Sequence, residues 1–150
     1  VAAGLLTLGP RHGNAATLAA RWLQEQKMAG VSPEEAVKQA LASGKRVAGF
    51  GHPEYERDPR AVALLLMTQK SLSDIPYGAY AQAIGEELTR QKGKSLYLNI
   101  DGAIAALILD LGLPVELADV FFLLARTVGL CVHALDEASL AKSYRRESAK

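Results

Sequence analysis

Apolar positions along this chain recur at helical spacing through most of its length. Leu18, Ala19, Trp22 and Leu23 share one face of a helix predicted over 15–29, with Asn14 as its N-cap. Ser32-Pro33-Glu34-Glu35 supplies a cap, a proline at the first helical position and a glutamate at the third, starting a helix that runs to Ser43 and stops at Gly44. Asp58-Pro59 starts another, to about Ser71, with Val62, Leu65 and Leu66 as its expected buried stripe. A fourth spans 77–91 and closes at Gly93. A fifth begins near Asp101 with Ile104, Leu107, Ile108 and Leu111 inward and ends at Gly112-Leu113-Pro114. A last long helix covers about 115–135. No hairpin, strand–helix alternation, repeat or low-complexity stretch interrupts the pattern, so the fold class is all-α. Only 45–50 and 95–98 suit short extended pieces, and the tail 139–150 is polar and basic.

Composition narrows the partners. With 150 residues the chain can bury a hydrophobic core without staples. Its 17 Lys and Arg against 16 Asp and Glu leave a net charge of +1, which offers no single-sign field to gather nucleic acid or an anionic membrane. The run 118–134 comes nearest to a membrane span, but Asp119, Arg126 and His133 break it, and no membrane is expected. Cys131 lies in an apolar run and reads as a small buried hydrophobe; one cysteine makes no internal disulfide, and a cytoplasmic location is expected. No metal-ligand cluster stands out. The start, Val-Ala-Ala-Gly-Leu-Leu, has neither an initiator Met nor a basic region and reads as a chain entered midway.

Three loops bring glycine, histidine and acid to helix starts: Gly9-Pro10-Arg11-His12-Gly13, Gly49-Phe50-Gly51-His52-Pro53 through Asp58-Pro59-Arg60, and Leu98-Asn99-Ile100-Asp101-Gly102. Each alone has an ordinary explanation, such as a turn histidine, a helix-starting Asp58 or an N-capping Asp101.

Together, in this order and spacing, they resemble the citrate synthase and citryl-CoA lyase family, and the resemblance continues through Ala125-Arg126-Thr127-Val128-Gly129. It implies an enzyme that makes or breaks the carbon–carbon bond of citryl-CoA, joining acetyl-CoA and oxaloacetate. By the resemblance, Asp101 is the base for the acetyl methyl group, His12 donates to the enolate oxygen and His52 donates on the oxaloacetate side. Arg60, Arg126 and, from a partner subunit, Arg145 hold substrate carboxylates by paired hydrogen bonds. Arg146 is the neighbouring candidate. Arg46, Val47, Ala48, Gly49, Phe50, Gly51 and Asn99 line the CoA site, where glycine permits close approach; Lys45, Arg57 and Lys94 are further phosphate partners. His133 is left as structural. The same resemblance implies a homodimer, and CoA as a substrate with no tightly bound cofactor.

A carboxylate of ordinary pKa is a weak base for a carbon acid, so the enolate must be stabilised as it forms. Positive potential at the helix starts favours an ionised Asp101 and a neutral, donating His12. Where many relatives have Gly-His-Arg-Val-Tyr, this chain has Gly51-His52-Pro53-Glu54-Tyr55, which keeps another 2-oxo acid open as substrate. A non-catalytic acyl-CoA-binding module is the other alternative. The resemblance divides the chain into the end of a large-domain helix (1–9), a small CoA-binding domain (10–108) and helices returning to the large domain (109–150). It also implies that the chain alone carries an incomplete active site.

Overall fold

The structure is a computed structural model that describes residues 1–8, 14–44 and 46–140. His12, Lys45, Arg145 and Arg146 lie outside the described residues. Among the described residues seven helices follow one another: α1 (Ala2–Leu6), α2 (Ala15–Met28), α3 (Pro33–Ala42), α4 (Pro59–Ser71), α5 (Pro76–Lys92), α6 (Ile100–Asp110) and α7 (Leu117–Leu140). Among the described residues the extended pieces reduce to a single antiparallel bridge between Phe50 and Leu98. The all-α expectation therefore holds, and the two segments expected to be extended are the ones that meet.

α6 is the central helix and packs against α2, α4, α5 and α7. Its small residues make this possible: Gly102, Ala103, Ala105 and Ala106 are buried beside Ile108 and Leu109. The expected one-sided stripe was too narrow, since Leu111 is 45% exposed while the alanines between the large residues are covered. Around α6, α2 buries Ala16, Ala19, Ala20 and Leu23, and α5 buries Ala81, Ile84, Gly85 and Leu88, each at i, i+3, i+4, i+7. Full burial of a leucine such as Leu23 contributes roughly 1.5–3 kcal/mol.

α4 departs from expectation by one register. The covered positions are Ala61, Leu64, Leu65 and Thr68, while Val62 and Leu66 are exposed. Thr68 tolerates burial because its hydroxyl donates to the Leu64 carbonyl at 2.8 Å. Chain hydropathy alone favoured the two branched residues; packing against α6 selected the smaller ones.

α7 differs from the rest. Ala118 alone is buried along it. Val120, Phe121, Leu124, Val128, Val132 and Leu135 are exposed, and so is Cys131, against the expected burial. Its first turn is nevertheless anchored: Arg21 pairs with Glu116 at 2.8 Å, and the Thr17 amide donates to Asp119 Oδ1 at 3.1 Å. Among the described residues, α7 is long and apolar enough by length and composition to cross a membrane. Asp119, Arg126, Asp136 and Glu137 lie along it.

Candidate active site

The site forms where the α4 and α6 starts meet the loop that precedes α4. Asp58 N-caps α4, but its carboxylate, 2% exposed, reaches further. Oδ1 accepts from the Arg60 amide at 3.1 Å and from Arg60 Nε at 2.9 Å. Oδ2 accepts from Arg60 Nη2 at 2.9 Å and from the Ile100 amide, the first of α6, at 3.0 Å. Burial pushes the Asp58 carboxyl up, but these donors outweigh it and hold its pKa below the ordinary value. The same side-chain hydrogen bond raises the Arg60 guanidinium, which stays charged.

Arg60 Nη2 lies 3.3 Å from His52 Nε2. His52 Nδ1 accepts the amides of Glu54 and Tyr55 at 3.1 and 3.2 Å, so Nδ1 is unprotonated and the ring proton sits on Nε2. Two donors at that separation do not bond each other, so each keeps its N–H for an acceptor. The Tyr55 ring supports the imidazole, with centroids 4.8 Å apart.

Asp101 was considered as an N-cap from sequence, but the cap is Asn99, whose Oδ1 accepts the amides of Asp101 and Gly102 at 3.1 and 3.2 Å. Asp101 thus stands in the first turn of α6, with its carboxylate free of that duty. Burial raises its pKa; Arg60 and Arg126 oppose the rise, and Asp58 and Asp119 add to it. The expectation that the helix start would favour ionisation is reversed in sign, because desolvation outweighs the favourable charges, and the result is a stronger base. Arg126 is exposed and lies over the Phe122 ring at 5.5 Å. The structure therefore gathers His52, Arg60 and Asp101, with Arg126 in electrostatic reach.

Beside His52 opens a cleft of about 710 Å³, lined by Arg46, Val47, Phe50, Gly51, His52, Lys92, Lys94 and apolar residues of α3 and α5. Its described lining holds three cations and no acid. Lys92 was not foreseen; its place in the last turn of α5 reads as helix-end charge complement until folding brings that end to the cleft. Ala48, Gly49 and Asn99 do not line it. Gly49, at φ +88°, serves packing instead, since a Cβ there would meet Gly102 Cα at 2.8 Å and Ala19 Cβ at 2.9 Å. Asn99 spends its amide on the Gly51 carbonyl at 2.9 Å, tying the cleft loop to α6. Arg57 stacks on Tyr97, 3.7 Å from the ring centroid, in a separate pocket with Val62, Leu66 and Glu86.

A histidine, an arginine and an aspartate on a helical scaffold beside a cleft lined by three cations suit an anionic ligand. The chain as a whole is similar in fold to solved structures. Citryl-CoA lyase from Hydrogenobacter thermophilus matches 97% of this chain and 58% of its own at TM-score 0.85 and 37% identity. ATP citrate lyase from Methanothrix soehngenii, in complex with citrate and coenzyme A, matches 98% of this chain and 27% of its own at TM-score 0.83 and 32% identity. In sequence, the probable ATP-citrate synthase of Dictyostelium discoideum is 37% identical over 97% of this chain, which spans only 26% of that protein's length. The family model described as citrate synthase, C-terminal domain, matches residues 1–147. The chain belongs to the citrate synthase family.

Proposed function

We propose that the protein carrying this chain makes or cleaves the carbon–carbon bond of citryl-CoA, with acetyl-CoA and oxaloacetate on the other side of the reaction. The observation that carries the reading is that His52 Nε2 and the Arg60 fork stand 3.3 Å apart near a half-buried Asp101 whose pKa is raised. In the condensing direction Asp101 takes a proton from the acetyl methyl group. The enolate carbon attacks the oxaloacetate ketone, whose oxygen is protonated through its hydrogen bond from His52 Nε2 to become the citryl hydroxyl, His52 regaining its proton from solvent, while Arg60 and Arg126 hold the carboxylates. Cleavage runs these steps in reverse, with His52 taking the hydroxyl proton and Asp101 returning its proton to the acetyl carbon. His12, outside the described residues, takes the enolate oxygen in this reading, and Arg145 reaches the site of a second copy.

Arg46, Lys92 and Lys94 around the cleft supply charge for CoA phosphates, and Val47, Phe50 and Leu96 supply apolar wall for its base and pantetheine arm. CoA is a substrate here, with no resident cofactor. The likeness to citryl-CoA lyase favours cleavage as the physiological direction. The exposed apolar face of α7 supports a homodimer, and its interrupting charges support a protein outside the membrane.

The test is direct. Citryl-CoA is incubated with the full-length protein and with its Asp101→Asn variant, and acetyl-CoA, free CoA, oxaloacetate and citrate are followed. Acetyl-CoA plus oxaloacetate identifies a lyase; citrate plus free CoA identifies hydrolysis, as in a synthase. No product from wild type, or equal turnover by Asp101→Asn, sinks the reading and leaves a CoA-binding module.

A further inference from the structure

Asp58 is over-engaged for a helix cap. Capping α4 requires one acceptor for one first-turn amide, and the bond to the Arg60 amide meets that need. The remaining three donors, Arg60 Nε, Arg60 Nη2 and the Ile100 amide, come from the substrate-binding arginine and from the start of the helix that carries Asp101. The side chain of Asp58 is 0% exposed and that of Arg60 51%, so the pair is anchored at the acid and open at the guanidinium.

The geometry has a chemical consequence. A guanidinium has five N–H donors in a planar fork. Asp58 takes one from Nε and one from Nη2, which fixes the plane and leaves the Nη1 edge and the other Nη2 proton for a ligand. Without that anchor, Arg60 has the rotamer freedom of a long exposed side chain. Ile100 is the residue before Asp101, so the same carboxylate also sets where the first turn of α6 sits relative to Arg60.

We infer that Asp58 is a positioning residue for the citryl-CoA reaction, holding the Arg60 fork beside His52 and pinning the first turn of α6, so that the carboxylate clamp and the base keep one spacing. This rests on the reading of the site given above. It adds a buried anion whose charge faces Asp101 together with Arg60 on α4 and Asp119 and Arg126 on α7.

Asp58→Asn and Asp58→Ser in the full-length protein both keep an N-cap acceptor for α4 while breaking the paired bond to Arg60. Each is expected to lower kcat/KM for citryl-CoA by about 100-fold, the scale of a small misplacement of reacting groups, and citrate affinity measured by calorimetry by at least about 10-fold. The acid limb of the pH profile moves to lower pH, because one negative charge facing Asp101 is gone. In an Arg60→Lys background Asp58→Asn adds little further loss, since both act on one clamp.

A lower melting temperature with unchanged kcat/KM, citrate affinity and pH profile overturns the inference and leaves Asp58 a helix cap. Full additivity with Arg60→Lys overturns it as well. Absence of turnover by wild type defeats the functional reading instead; the citrate titrations then still decide whether Asp58 positions Arg60.

Discussion

In the proposed reaction Asp101 serves chemistry at a cost to stability. Its folded pKa is raised above the ordinary 3.8 chiefly by burial. A raised carboxyl contributes fully below the unfolded value and loses that contribution as pH rises through the folded one, so at neutral pH the ionised form opposes folding. Asp101→Asn is therefore expected to raise the urea midpoint at pH 7 and to change it little below about pH 3.8, while cutting citryl-CoA turnover by about 10²–10⁴-fold. A variant that loses stability at pH 7 would show that the carboxylate is structural. Asp58 carries the opposite sign: its depressed pKa supports folding above the ordinary value, and that support is lost as pH falls through the folded one. That His52, Arg60 and Asp101 belong to one site was legible because three motifs recur in family order. The extra duties of Asp58 were not, because Asp-Pro is already a sufficient helix start and its partner at Ile100 is 42 residues away.

At the scale of elements, the starts of α2 and α5 are satisfied from elsewhere in the chain. Asn14 makes no side-chain cap to α2; Asp119 of α7 accepts the Thr17 amide instead. Ile75 offers none to α5, whose Tyr77 and Gly78 amides are taken by Asp110 at 2.7 and 2.9 Å. Asp119→Ala should cost about 1 kcal/mol in chemical denaturation, the usual worth of a lost cap. A cost near zero would mean water replaces it. Gly102 tests another contact between elements, because a Cβ there would collide with the Gly49 carbonyl oxygen and the Leu98 side chain. Gly102→Ala is expected to cost about 1–3 kcal/mol by overpacking and to loosen the cleft loop, read by urea denaturation and CoA titration. Asn14 looked like a cap because its type and position suit one; folding filled the same need from α7.

For the whole molecule, the exposed face of α7 is the largest unmet requirement. Leu124 and Val128, 61% and 65% exposed, stand one turn apart on a helix whose hydrogen-bonded anchor lies near its start. Leu124→Lys with Val128→Lys in the full-length protein is expected to convert a dimer to a monomer in sedimentation, with helical content retained. A dimer that persists assigns this face to packing within one polypeptide.

The existence and approximate bounds of α2 to α7 and the motif residues were determined by the sequence itself, since helical periodicity, caps and glycine stops act within a few neighbours along the chain, whereas the short α1 left no such pattern. Tertiary structure decided which face each helix hides and which distant groups meet. α4 turns Ala61, Leu64, Leu65 and Thr68 rather than Val62 and Leu66 toward the core because its packing against α6 sets which face is hidden. Asp101 becomes a stronger base rather than a better-ionised acid because desolvation is set by every element packed around it. Lys92 joins the cationic cleft only when the end of α5 folds back to the loop at Arg46. These outcomes depend on three-dimensional proximity, which local pattern does not encode.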